Sequence, residues 1–183
     1  MSNHPYPKQA VLRDGRNVLI RPFRRDDAEA LHAFFLRLPP EIRRFAWDAI
    51  DRKGLVESWA DNIDYDQALP LLAFSGTRVV ADATLHQREF GPLRLVGRVK
   101  WLLDPEFRGA GLGAMLVNLL MDAARERGLR HLTCMLISDV EQDAIDVLTP
   151  LGFTEYRIPR YGVDPDGNSH DMTKLVFSIN GNG

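Results

Sequence analysis

The stretch from Asp104 to Leu116, "DPEFRGAGLGAML", sets Gly109, Gly111 and Gly113 at alternate positions directly behind the basic residue Arg108. Glycines so placed let a backbone adopt φ > 0 and come close to a ligand. The apolar run "VKWLL" leads into the stretch, and Leu112, Leu116, Leu119, Leu120 and Ala123 follow at helical spacing. A strand that feeds a glycine loop opening a helix is an anion site, because the first N–H groups of the helix lack partners and its dipole favours negative charge. The chemistry expected here is phosphate binding. No Lys-Ser or Lys-Thr follows the last glycine, so nothing would hold terminal phosphates or magnesium as a nucleotide-hydrolysing loop does. Gly109 to Ala114 also fits G-x-G-x-x-A, and Asp139 stands where a ribose-binding acid would be sought. A dinucleotide site therefore stays open as a minor alternative, although too little chain follows the loop to complete a doubly wound sheet.

Groups able to move a proton are few near this stretch. Asp82, His86 and Glu89 lie on or just after a strand-like run, and alternation puts Asp82 and His86 on one face. An unperturbed histidine titrates closest to neutrality, which makes His86 a candidate base with Asp82 beside it, against the plainer role of solvated strand residues. Arg98 and Lys100 share a face of the next run and are suited to an acidic acceptor or simply to solvent. His4, His32, His131 and His170 are scattered without metal-ligand spacing, and neither H-E-x-x-H nor G-x-S-x-G occurs, so no metal is expected. The single cysteine, Cys134, excludes an intrachain disulfide and sits in the apolar run "LTCML" as a small core residue.

The elements that must position these groups follow from pattern. Asp14-Gly15 between two short apolar stretches signals a hairpin. Leu31, Phe34, Phe35 and Leu38 mark a first helix behind the acidic Asp26-Asp27, ended by Pro39-Pro40; Leu55, Val56, Trp59, Ala60 and Ile63 mark a second. The segment between them is charged, aromatic and irregular. The runs "LPLLAF", "TRVVADATLHQ" and "LRLVGRVKWLL", separated by turn residues, read as an antiparallel meander. After the glycine loop, Arg125, Arg127 and Gly128 suit the end of a long helix. At 183 residues, 45% hydrophobic, the chain has material for one sizeable core, and a net charge of -2 gives no footprint for nucleic acid. No apolar run reaches bilayer length and "MSNHPYPKQA" has no signal-peptide core, so a cytoplasmic protein with no membrane partner is expected.

Arg108-Gly109-Ala110-Gly111-Leu112-Gly113, preceded by a strand and Asp-Pro, resembles the Arg/Gln-x-x-Gly-x-Gly/Ala loop of the GNAT superfamily of N-acetyltransferases. The order of elements from about Val11 to Ile179 is similar to the GNAT order, and Leu151-Gly152-Phe153 resembles its final helix-to-strand junction. The phrase "LRDGRNVLIRPFRRDDAEALHAFFLRL" resembles the GNAT domain of bacterial protein-lysine acetyltransferases. The resemblance implies an α/β fold: a central mixed, mostly antiparallel sheet, flanked by helices and splayed between the family's fourth and fifth strands. It implies a flexible segment over residues 1–10 and a single acyl-CoA N-acyltransferase domain over 11–180.

The same resemblance implies acetyl-CoA as cosubstrate, its pyrophosphate on the backbone amides of Gly109, Ala110, Gly111, Leu112, Gly113 and Ala114, with Arg108 opening the loop. Pantetheine would pair with the end of the fourth strand at Trp101, Leu102 and Leu103, and Glu141 falls at the cofactor position where the family's closing motif begins with asparagine. Three further positions depart from the family: Arg98 and Leu136 stand where relatives carry a general-base acid, and Leu148 where many carry a thiolate-protonating tyrosine. The reaction implied is transfer of acetyl to a primary amine, on a protein lysine or a small molecule; the alternative is an acyl-CoA-binding regulatory module that has lost catalysis. The oligomeric state stays open, a homodimer included.

Overall fold

The computed structural model describes residues 6–179. An eight-stranded mixed sheet flanked by helices carries the chain in the order β1-β2-β3-β4-β5-β6-β8-β7. The strands are β1 (Lys8–Val11), β2 (Asn17–Pro22), β3 (Ala68–Ser75), β4 (Arg78–His86), β5 (Val96–Leu103), β6 (His131–Ile137), β7 (Thr154–Val163) and β8 (Ser169–Ser178). The helices are α1 (Ala28–Arg37), α2 (Pro40–Arg43), α3 (Lys53–Asp61), α4 (Leu112–Glu126) and α5 (Gln142–Leu148). The pairs β1–β2, β2–β3, β6–β8 and β7–β8 are antiparallel, whereas β5 and β6 run parallel. The parallel register extends over Val96↔His131, Gly97↔Leu132 and Arg98↔Thr133, while β6 pairs with β8 from His131 through Ile137.

Two compact units share the chain, neither continuous in sequence. The first contains residues up to Thr84 and the segment Trp101–Leu112. Its core is built by α1 and α3: Leu31, Phe34, Phe35, Val56 and Ala60 bury one face of each helix, joined by Phe23, Leu72, Phe74 and Val79 from the sheet side. Phe35 meets Trp59 edge-on at 6.2 Å between ring centroids, a favourable aromatic geometry. Helix α1 stops where expected: Leu38 turns to extended backbone (φ -61, ψ 140), as a residue before proline must. Pro39-Pro40 nevertheless opens the one-turn helix α2 inside the segment read as irregular, since proline's fixed φ is already helical and its missing N–H is not needed in a first turn. Strand β1 begins at Lys8, three residues earlier than the domain boundary read at Val11; residues 1–5 of the segment expected to be flexible lie outside the described residues.

The second unit contains Leu85–Lys100 and the chain from Gly113 onward. Helix α4 buries Leu116, Val117, Leu120 and Ala124, with Ala123 only half-buried at the stripe's edge. It ends on Gly128 (φ 69), whose N–H donates to the Arg125 carbonyl, the left-handed cap expected of a glycine there. Gly97 is the tightest point: a Cβ there would lie 2.7 Å from Leu132 Cδ2, 2.7 Å from Leu85 Cδ1 and 2.9 Å from Leu129 Cδ1. Cys134 is buried in β6, and its thiol is pushed well up by that burial, in keeping with the packing role read from sequence.

Candidate functional site

Within the first unit, β5 ends at Leu103 and the chain enters the glycine loop through a buried carboxylate. Asp104 accepts the Glu106 N–H at 3.1 Å on one oxygen and the Arg78 guanidinium at 2.6 Å on the other, while its own N–H donates to the Val80 carbonyl at 2.9 Å. Pro105–Phe107 then form one 3-10 turn. Gly109 (φ 72) and Gly111 (φ 89) both adopt the left-handed conformation, alternating with the buried Ala110. Left-handed residues alternating with right-handed ones turn successive N–H groups toward one side, the concavity that binds anions. Nothing lies within 4 Å of a Cβ built on Gly109. Helix α4 starts directly at Leu112, so its first N–H groups follow the loop without an intrahelical partner.

The hairpin between β1 and β2 holds this loop. Its turn is closed by the Leu12 N–H on the Arg16 carbonyl at 2.8 Å, with Gly15 at φ 85. The Arg13 N–H donates to the Ala110 carbonyl at 3.1 Å. Arg16 donates to the Glu106 carbonyl at 2.7 Å, is clamped by Asp14 at 2.6 Å, and lies over the Phe107 ring at 3.8 Å from its centroid. Arg13, Arg16 and the Arg78–Asp104 pair are absent from the sequence reading; only the Asp14-Gly15 turn signalled that a hairpin was there, and nothing in it signalled where the turn would dock.

Gly113, first residue of the second unit's part of α4, has no positive φ, and a Cβ on it would meet only Val147 Cγ1 at an ordinary 3.9 Å. Neither backbone strain nor packing within the chain requires glycine at this position. In the same unit Glu141 precedes α5, and its carboxylate accepts the Ile137 N–H at 2.7 Å at the end of β6. Burial holds the Glu141 carboxyl above its ordinary value despite that hydrogen bond.

The remaining sequence candidates are placed as follows. Along β4, Ala81, Ala83 and Leu85 are buried while Asp82, Thr84 and His86 are half-buried, so Asp82 and His86 do share a face; Thr84 donates to Asp82 at 3.3 Å. Glu89 is exposed beyond the strand end. On β5, Arg98 is exposed and Lys100 half-buried on the face opposite Gly97 and Val99. Trp101, Leu102 and Leu103 are all half-buried, and Leu102 packs on the helical core of the first unit, so alternation sends Trp101 and Leu103 to the other face. Leu136 is buried in β6 and Leu148 in α5. Asp139 is not free to serve a ribose: it faces His170 Nδ1 at 3.3 Å, and His170 Nε2 meets Asp164 at 3.1 Å, raising the histidine through the Asp164 contact above all.

Residues 29–153 match the model of the Acetyltransferase (GNAT) family. The chain is 29% identical to Acetyltransferase PA5475 of Pseudomonas aeruginosa, over 91% of this chain and 87% of that one. Among solved structures it is similar to the GNAT domain of S. lividans PAT, with a TM-score of 0.76 and 23% identity over 93% of this chain and 96% of that one. It is also similar to YncA, described as an acetyltransferase of Salmonella typhimurium with its cofactor acetyl-CoA, with a TM-score of 0.73 and 21% identity over 91% and 96% of the two chains. The chain belongs to the GNAT acetyltransferase family, which sets aside the dinucleotide reading of Gly109–Ala114.

Proposed function

We propose that this protein transfers the acetyl group of acetyl-CoA to a primary amine, by direct attack of the amine on the thioester. The observation that carries the reading is the loop itself: left-handed Gly109 and Gly111 directly ahead of a fifteen-residue helix, with Gly113 a glycine that the fold does not demand. In this reading Arg108 and the amides of Gly109 through Ala114 hold the diphosphate, as a helix N-terminus preceded by glycines holds anions. The backbone of Trp101–Leu103 pairs with the pantetheine amides and leaves a donor for the thioester carbonyl, while Glu141 lies on the cofactor's path. The amino-terminal phrase supports a protein lysine as acceptor, with small amines the other members of the class.

Attack requires a neutral amine, and the chain has no acid where the family's base stands: those positions hold an arginine, Arg98, and the buried Leu136, while the buried Leu148 replaces the family's tyrosine. The amine must then shed its proton before productive binding, with His86 and Asp82 as minor assistants. The predicted kcat/KM keeps rising with pH toward the acceptor's own pKa, and His86→Ala and Asp82→Ala each lower it by well under the ~100-fold expected of a dedicated base. An ascending limb near pH 6.5 that vanishes in His86→Ala would contradict this and make His86 the base. The same three residues favour a second reading, an acyl-CoA-binding regulatory module. Inactivity toward every amine in a protein that still binds acetyl-CoA would select it.

A further inference from the structure

Two arginines of the β1–β2 hairpin reach the glycine loop, and only one is satisfied there. Arg16 spends its donors on Asp14 and the Glu106 carbonyl and its plane on Phe107. Arg13 is fixed by its backbone, through the N–H to the Ala110 carbonyl, and its side chain runs along Gly111: a Cβ on Gly111 would lie 3.3 Å from Arg13 Nε and 3.7 Å from both Cγ and Cζ. Among the described residues that guanidinium has neither a carboxylate nor a side-chain hydrogen bond, although acidic residues outnumber basic ones, 25 to 23. An exposed arginine with nothing to hold is ordinary on a protein surface; one anchored by its own main chain beside a left-handed glycine of an anion-binding loop is pre-organised.

We propose that Arg13 is a diphosphate-binding residue, closing over the glycine loop so that the cofactor's phosphates lie against backbone N–H groups and a guanidinium fork together. This rests on the acetyl-CoA reading above and adds to it a side chain from a different element, contributed by the first unit alone. Arginine suits the task because its planar fork meets two phosphate oxygens at once and its charge cannot be titrated away. Gly111 is then needed twice over, for its φ of 89 and for the space the Arg13 stem occupies.

The test is calorimetric titration of coenzyme A and of 3′-dephospho-coenzyme A into the wild type, Arg13→Ala and Arg13→Lys. Arg13→Ala should weaken both ligands by the same factor, about tenfold or more as befits loss of a charge-assisted hydrogen bond, and Arg13→Lys should recover part of it. Equal binding by wild type and Arg13→Ala would overturn the proposal. So would a loss confined to coenzyme A, which would assign Arg13 to the 3′-phosphate. Should Arg13→Ala fold poorly, Arg13→Lys against Arg13→Gln carries the same comparison with the stem retained. A wild type that binds neither ligand would refute the acetyl-CoA reading itself, a result distinct from wild-type binding that is indifferent to Arg13.

Discussion

Asp27 shows how single residues fix this fold ahead of any chemistry. Its carboxylate takes the Arg21 guanidinium at 2.6 and 2.7 Å and the Arg24 N–H at 2.7 Å, with Arg21 lying over the Phe74 ring. Burial pushes the carboxyl up, but the hydrogen bonds from Arg21 and the Arg24 N–H outweigh it and leave Asp27 below its ordinary value. A carboxyl depressed in the folded state adds stability that is present above its unfolded pKa and lost as pH falls through the folded one. Asp27→Ala leaves Arg21 without its carboxylate, holding only the Pro22 carbonyl, at a site where its side chain is only 16% exposed, so it should cost about 2–3 kcal/mol at pH 7 by urea unfolding. The difference from wild type should shrink as pH drops below the ordinary carboxylate value of 3.8. The sequence displayed Asp26-Asp27 as a helix start, correctly, but the partner Arg21 lies on β2 and no local pattern joins it to the helix.

At the scale of elements, what was legible and what was not divide along the range of the interaction. Period and turn chemistry gave α1, α3, α4 and the five strands of the hairpin and meander, because Leu31-Phe34-Phe35, Leu112-Leu116-Leu120 and the alternation of β4 are local patterns. The glycine loop was likewise read from its own spacing. The hairpin's docking on that loop, through Arg13, Arg16 and the ring of Phe107, joins residues some ninety positions apart and leaves no trace in either segment. Helix α2 was missed because Pro39-Pro40, rightly read as a stop, is equally a start. Gly97 hides the opposite way: it looks like a flaw in β5, yet three leucine methyls fill the space its side chain would take, from Leu85, Leu129 and Leu132, all buried. Gly97→Ala should therefore destabilise by about 1–3 kcal/mol through overpacking, read as a lowered Tm, where an alanine in an ordinary strand would be tolerated.

For the whole molecule, no helix among the described residues is long and apolar enough to cross a membrane, and the net charge of -2 offers no steering field for an anionic partner. In the acetyl-CoA reading proposed above, specificity for a cofactor bearing several phosphates would come from local devices: glycine-loop amides, the start of α4 and the arginines beside them. Such a ligand binds the native state alone, and at a hundred times its Kd it adds about 2.7 kcal/mol to the stability of the chain. The most direct measurement is thermal unfolding of the wild type and Gly111→Asp with saturating acetyl-CoA or NAD. Aspartate at Gly111 sets a negative charge and a Cβ at φ 89 against the loop and the Arg13 stem. Acetyl-CoA should raise the wild-type Tm, NAD should leave it unchanged, and folded Gly111→Asp should lose the acetyl-CoA shift. A shift with NAD and none with acetyl-CoA, or a full acetyl-CoA shift in Gly111→Asp, would contradict the assignment of the loop.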